Sequence, residues 1–173
     1  MDLLDRLLGH DAWTTRQLLL LCRDLTDEQL DHDFDIGHRT VRTTFRHIIR
    51  NVEGWSDLMA GRPIDNDQRS PGTSISELIA RLDLAAADLA KVARAVAQRD
   101  GWDEKWLDKR SEPPKEFTYG GSIAHVITHS MHHRAQVLYL LRQLGLKDLP
   151  EGDVLSWEHQ AGAAPAQARQ SQS

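Results

Sequence analysis

From His125 to Gln136 the chain reads His-Val-Ile-Thr-His-Ser-Met-His-His-Arg-Ala-Gln, and no other stretch constrains it so sharply. Four of its nine histidines fall within nine residues, and His125, His129 and His133 step by four. On an α-helix, residues four apart stand nearly above one another, so two imidazoles can address one point. Neutral imidazole is a favoured ligand for Zn, Ni, Cu and Fe, which makes this helix a candidate wall of a metal site. At this histidine content a single H-x-x-x-H pair has a chance expectation of roughly one half, but the triple step only ~0.02.

The remaining pattern predicts helices to face it. Leu3, Leu4, Leu7, Leu8, Leu18, Leu21, Cys22 and Leu25 recur at helical spacing over residues 2 to 24. Thr26-Asp27-Glu28-Gln29 has the form of a capping box and predicts a short second helical turn. Phe34 to Arg39 has no sustained period and reads as a loop. Thr40 is placed to cap a helix that runs to Ala60 and stops at Gly61-Arg62-Pro63, with Val41, Phe45, Ile49, Val52 and Met59 as its core stripe. The polar, Pro/Gly-punctuated residues 62 to 73 form a loop, and Ser74-Ile75-Ser76-Glu77 opens a long helix. Residues 100 to 121 break the pattern with Trp102, Trp106, Pro113-Pro114, Phe117, Tyr119 and Gly120-Gly121, predicting an extended, partly strand-like crossover. Ser122 is the expected cap of the last helix, which ends at Leu144 before Gly145. Leu146 to Trp157 reads as irregular. The fold class is therefore all-α: a four-helix bundle with long crossover connections, a scaffold that builds metal sites between facing helices. One domain over 1–158 is expected, with 159–173 a disordered Ala/Gln/Ser tail.

Composition narrows the function. A formal net charge of -5 disfavours a nucleic-acid binder, which neutralises phosphates with clustered Lys and Arg. No apolar run approaches the roughly 20 residues of a membrane span. Acidic Asp2 and Asp5 stand where a signal peptide would be basic, so a cytoplasmic location is expected. The lone Cys22 sits among Leu18, Leu21 and Leu25 and reads as core filler.

On the last helix, His129 and His133 fall at the edge of the apolar stripe, while His125 and His132 turn further towards solvent. A metal needs a third ligand, and His10, His32, His38 and His47 are the candidates. His47 is preferred because it lies mid-helix on the flank of a core stripe. Ser130 follows His129 where a H-E-x-x-H metalloprotease would carry Glu. No residue stands out as a general base. Glu53 points about 120° away from His47 on an ideal helix, and Asn51, one turn on, is better placed to line a pocket. Arg134 and Gln136 read as a salt bridge and a surface hydrogen bond, with support of the ligands as the lesser alternative. Trp102, Trp106, Phe117 and Tyr119 either wall a cleft or clamp the crossover.

The segments Thr40–Ile49 and His125–Gln136 resemble the two signature regions of the DinB/YfiT-like family, with Glu53 and Trp55 echoing its acidic and aromatic cluster. Ala135 stands where the family's H-x-x-x-H-R-G-Q has Gly, and Leu149 to Asp153 is similar to the segment after its last helix. The resemblance covers most of residues 1 to 158. It implies a four-helix bundle with unusual crossover topology, often homodimeric, holding a divalent metal on three histidines: here His47, His129 and His133. Zn or Ni is the expected ion, and a small molecule the expected partner, in some relatives a low-molecular-weight thiol. Three imidazoles leave the ion its full charge and an open position, which suits a hydrolase or a thiol-dependent transferase. The alternative is a non-catalytic metal-binding homodimer with a stress-response role. The damage-linked family name would suggest DNA binding, which the net charge disfavours.

Overall fold

The computed structural model describes residues 1–64, 74–110 and 112–160. Four long helices carry the core: α1 (Leu3–Leu21), α3 (Val41–Met59), α4 (Ile75–Gln98) and α5 (Tyr119–Gln143). Between them lie the single turn α2 (Asp27–Leu30) and an antiparallel hairpin of β1 (Lys105–Asp108) and β2 (Lys115–Thr118). Both α1 and α3 pack against α4 and α5. The pair α1 and α3 therefore occupy opposite corners, and the chain crosses the bundle between α1 and α3 and again between α4 and α5. These are the expected crossovers, and the second one carries the hairpin.

Local chemistry sets the helix starts. Thr26, Thr40 and Ser74 each close a capping box, in which the N-cap hydroxyl accepts from a backbone N–H three residues on and that residue's side chain reaches back. The stripe of Val41, Phe45, Ile49, Val52 and Met59 is buried as its spacing requires, against Leu78, Leu82, Val126 and Leu141 of the common core. Cys22 is fully buried, its thiol donates to the Leu18 carbonyl at 3.2 Å, and burial pushes its pKa up to about 12. It is the inert core residue its neighbours suggested.

Two expectations are corrected. The last helix is capped by Thr118, whose Oγ1 accepts from Gly121 N at 3.1 Å, and Ser122 lies buried inside its first turns. Ser122 Oγ instead accepts from Trp106 Nε1 at 3.0 Å and ties the hairpin to α5. Gly120-Gly121, which reads as a break, serves close approach: Gly120 N donates to the Trp102 carbonyl at 2.8 Å, and a Cβ there would stand 3.0 Å from that oxygen. The segment read as irregular also contains helix at residues 154–160. Its Trp157 is buried over Gly9, where a Cβ would meet the indole at 2.8 Å. The expected loop at residues 65–73 and the tail from 161 lie outside the described residues. No helix among the described residues is long and apolar enough to cross a membrane.

Candidate metal centre

The middle of α3 faces the middle of α5, and histidines of both helices meet there. His129 and His133 lie one turn apart with ring centroids 4.4 Å apart, and His47 comes from α3 to 5.1 Å and 4.5 Å from them. The loop before α3 adds His38, whose ring stacks on His47 at 3.7 Å and lies 5.1 Å from His133. Ring nitrogens of His38, His47 and His133 all lie within 4.8 Å of one another, a spacing that can hold a metal ion. His125 and His132 are exposed, as helical geometry requires. His10 is elsewhere: its Nε2 faces the Gly152 carbonyl at 2.8 Å, pinning the chain beyond α5 to α1. His32 is exposed and edges onto Phe34.

The protonation state of the cluster suits a ligand set. Burial pushes His47 down to about 4, helped by the neighbouring His38, His133 and His129 and by the charge of Arg50. Burial likewise takes His129 to about 4, with His133, His125 and His132 adding to the effect. His38 and His133 are lowered for the same first reason. All four rings are thus neutral at pH 7, with a lone pair available for a cation.

Orientation is built in around His133. Its Nδ1 lies 2.8 Å from Gln136 Oε1, while Gln136 Nε2 faces His132 Nε2 at 3.1 Å. An amide oxygen only accepts, so this arrangement makes Nδ1 the protonated nitrogen of His133 and leaves Nε2 as its lone pair. That nitrogen lies 3.3 Å from His129 Nε2. A tetrahedral ion with bonds of 2.0–2.1 Å would hold two imidazole nitrogens about 3.3–3.4 Å apart. Nε2 of His47 is buried without a hydrogen-bond partner among the described residues, an orphan that a cation would satisfy. The donor set therefore fits a divalent ion.

The flanking residues divide into supports and cavity walls. Gly37 adopts φ +51°, and a Cβ there would meet Gln136 Oε1 at 2.6 Å, so glycine lets the His38 loop close over that amide. Thr43 Oγ1 bonds the His38 carbonyl and holds the same loop on the first turn of α3. Arg134, read as a surface group, is 2% exposed and joined to Asp11 of α1, with a further bond to Thr15 Oγ1 at 3.2 Å. It locks α5 to α1 behind the histidines. Glu53 does not face the rings; it grips Arg81 of α4 through both oxygens, at 3.2 Å and 2.8 Å. Asn51 keeps a buried amide nitrogen with no partner among the described residues. Trp55 meets Trp106, Phe117 and His125 at 5.9 Å, 5.8 Å and 4.9 Å, so the hairpin aromatics both clamp the crossover and reach the outer end of the histidine row.

A cavity of about 250 Å³ opens beside His38 and His47, walled also by Thr43, Arg46, Arg50 and Arg81. His38 is the participant that helical periodicity does not select, because it stands in a loop. The one signal for it is its place just ahead of the Thr40 cap, nine residues before His47.

Comparison with known proteins supports the architecture. Residues 1–166 match the model of the DinB family. Protein DinB of Bacillus subtilis (strain 168) is 18% identical over 155 residues, spanning 86% of this chain and 90% of that protein. The crystal structure of a DinB-like protein from Bacillus cereus ATCC 10987 superposes with a TM-score of 0.59 at 17% identity, covering 82% of this chain and 90% of that one. A protein assigned to the DinB family from Exiguobacterium sibiricum 255-15 gives 0.56 at 21% identity, covering 87% and 95%.

Proposed function

This chain belongs to the DinB family, and from that premise we propose that it is a metal-dependent enzyme acting on a small molecule through His47, His129 and His133. The observation that carries this reading is the cavity that adjoins the histidine cluster at His38 and His47. Structural sites close themselves with four protein ligands, whereas catalytic sites keep a position open towards a pocket.

The ring nitrogens that all lie within 4.8 Å of one another are those of His38, His47 and His133; His129 is preferred to His38 as a ligand because its Nε2 stands 3.3 Å from that of His133, one helical turn away. His38 lies nearly face to face with His47, with ring centroids 3.7 Å apart and planes at 27°. His38 then serves as a cover stacked on a ligand, at the mouth of the cavity.

A divalent ion held there supplies the charge that ionises a thiol or polarises a carbonyl. Both hydrolysis and thiol-dependent transfer are open to such a site. Among the described residues lining the cavity there is no Asp or Glu, and the neutral ring of His38 is the group there that could take a proton from water or from a thiol. Thr43 is the neutral polar residue in the cavity lining that can orient a bound molecule, whereas Asn51, one turn from His47, does not line the cavity.

The test uses the Co(II)-loaded protein and 2-mercaptoethanol. A thiolate-to-cobalt charge-transfer band in the near ultraviolet, absent from His133→Ala, is expected. A cobalt spectrum indifferent to thiol, together with no turnover of thiol adducts, esters or amides, would favour the non-catalytic metal-binding homodimer.

A further inference from the structure

The walls of the cavity beside the histidines are cationic in a way that metal binding alone does not require. On α3, Thr43, Arg46, His47 and Arg50 follow the i, i+3, i+4, i+7 spacing of one helix face, and all four line the cavity. Arg81 closes it from α4, its guanidinium held in place by Glu53 at 3.2 Å and 2.8 Å. Three guanidinium groups therefore stand around a space of about 250 Å³, and no described residue lining it is acidic. Arg46 and Arg50 have interactions of their own, so an incoming group would compete for them rather than fill a vacancy.

From this juxtaposition we infer that the small molecule entering the cavity is an anion, a carboxylate or phosphate whose charged end rests on Arg46, Arg50 and Arg81 while its other end reaches towards His47. Guanidinium is the side chain best shaped for such groups, because its planar fork bonds two oxygens at once. The inference deepens the reading of the centre as an open metal site, and it names the class of ligand that site takes.

Metal-free protein separates the two ideas, since the arginines need no ion to bind an anion. Succinate, inorganic phosphate and the neutral isostere succinamide are titrated while the Arg Nε–Hε signals are followed by NMR. Saturable shifts with succinate or phosphate, and none with succinamide, are expected; the tighter of the two tells carboxylate from phosphate. The R46Q/R50Q double variant should bind about tenfold or more weakly, as loss of charge-assisted bonds implies. R46K/R50K, which keeps the charge, should bind between the two. Equal affinity of the wild type and R46Q/R50Q, or equal response to succinate and succinamide, would overturn the inference. Co(II) uptake by the histidines in the same preparations reports separately on the metal reading, and its failure beside intact anion binding would sink that reading alone.

Discussion

Gln136 Oε1 accepts from His133 Nδ1 at 2.8 Å, and this one bond decides which nitrogen of His133 faces the cluster. Gln136→Leu removes the acceptor and frees the ring to rotate or change tautomer. Loss of such an outer partner lowers metal affinity by about 10- to 100-fold. Competition with a chromophoric chelator should show that loss, while circular dichroism shows an unchanged helical fold. Gly37→Ala should act in the same direction, because its Cβ would press on the same amide at 2.6 Å.

The metal-free protein should weaken in mild acid. His47 and His129 titrate at about 4 in the folded chain and near 6.5 when unfolded. Between those values the unfolded chain holds more protons, so stability falls as pH drops from about 6.5 towards 4 and is flat for these groups above 6.5. The slope is at most about 1.4 kcal/mol per pH unit for each histidine, reduced by their partial exposure to solvent. Urea midpoints at pH 7.0 and 5.0 measure it, and His47→Gln/His129→Gln should flatten the dependence. A midpoint equally pH-sensitive in the double variant would assign the effect to other groups.

Asp11 and Arg134 form a pair buried between α1 and α5, 5% and 2% exposed. Removing one partner strands the other charge, at a cost of about 3–5 kcal/mol. Asp11→Ala should therefore lower the urea midpoint far more than an exposed change such as Asp33→Ala. The double substitution Asp11→Leu/Arg134→Leu should recover much of the loss. A small effect of Asp11→Ala would show that the pair contributes little.

Much of this was legible in the chain because it depends on periodicity. The α3 stripe from Val41 to Met59, the capping boxes at Thr26 and Ser74 and the long α4 all follow from neighbours in sequence. The exposure of His125 and His132 and the approach of His129 to His133 follow from the angle between helical residues. What was not legible depends on pairs far apart in sequence. Arg134 and Asp11 are 123 residues apart, and nothing local distinguishes that arginine from a surface one. Glu53 finds Arg81 across 28 residues, and Trp106 finds Ser122 across the hairpin, which moved the helix cap back to Thr118. His38 escaped selection because loops have no period, and the packing of Gly37 against Gln136 together with the Thr43 bond to the His38 carbonyl brings it over His47.

The most direct test is the metal content of the purified protein beside four single variants, read by elemental analysis after equilibration with limiting Zn or Ni. The wild type should hold one divalent ion per chain, His47→Ala, His129→Ala and His133→Ala should hold almost none, and His38→Ala should retain it. Equal occupancy in the wild type and in His133→Ala would contradict the account, as would loss of the ion from His38→Ala but not from His129→Ala.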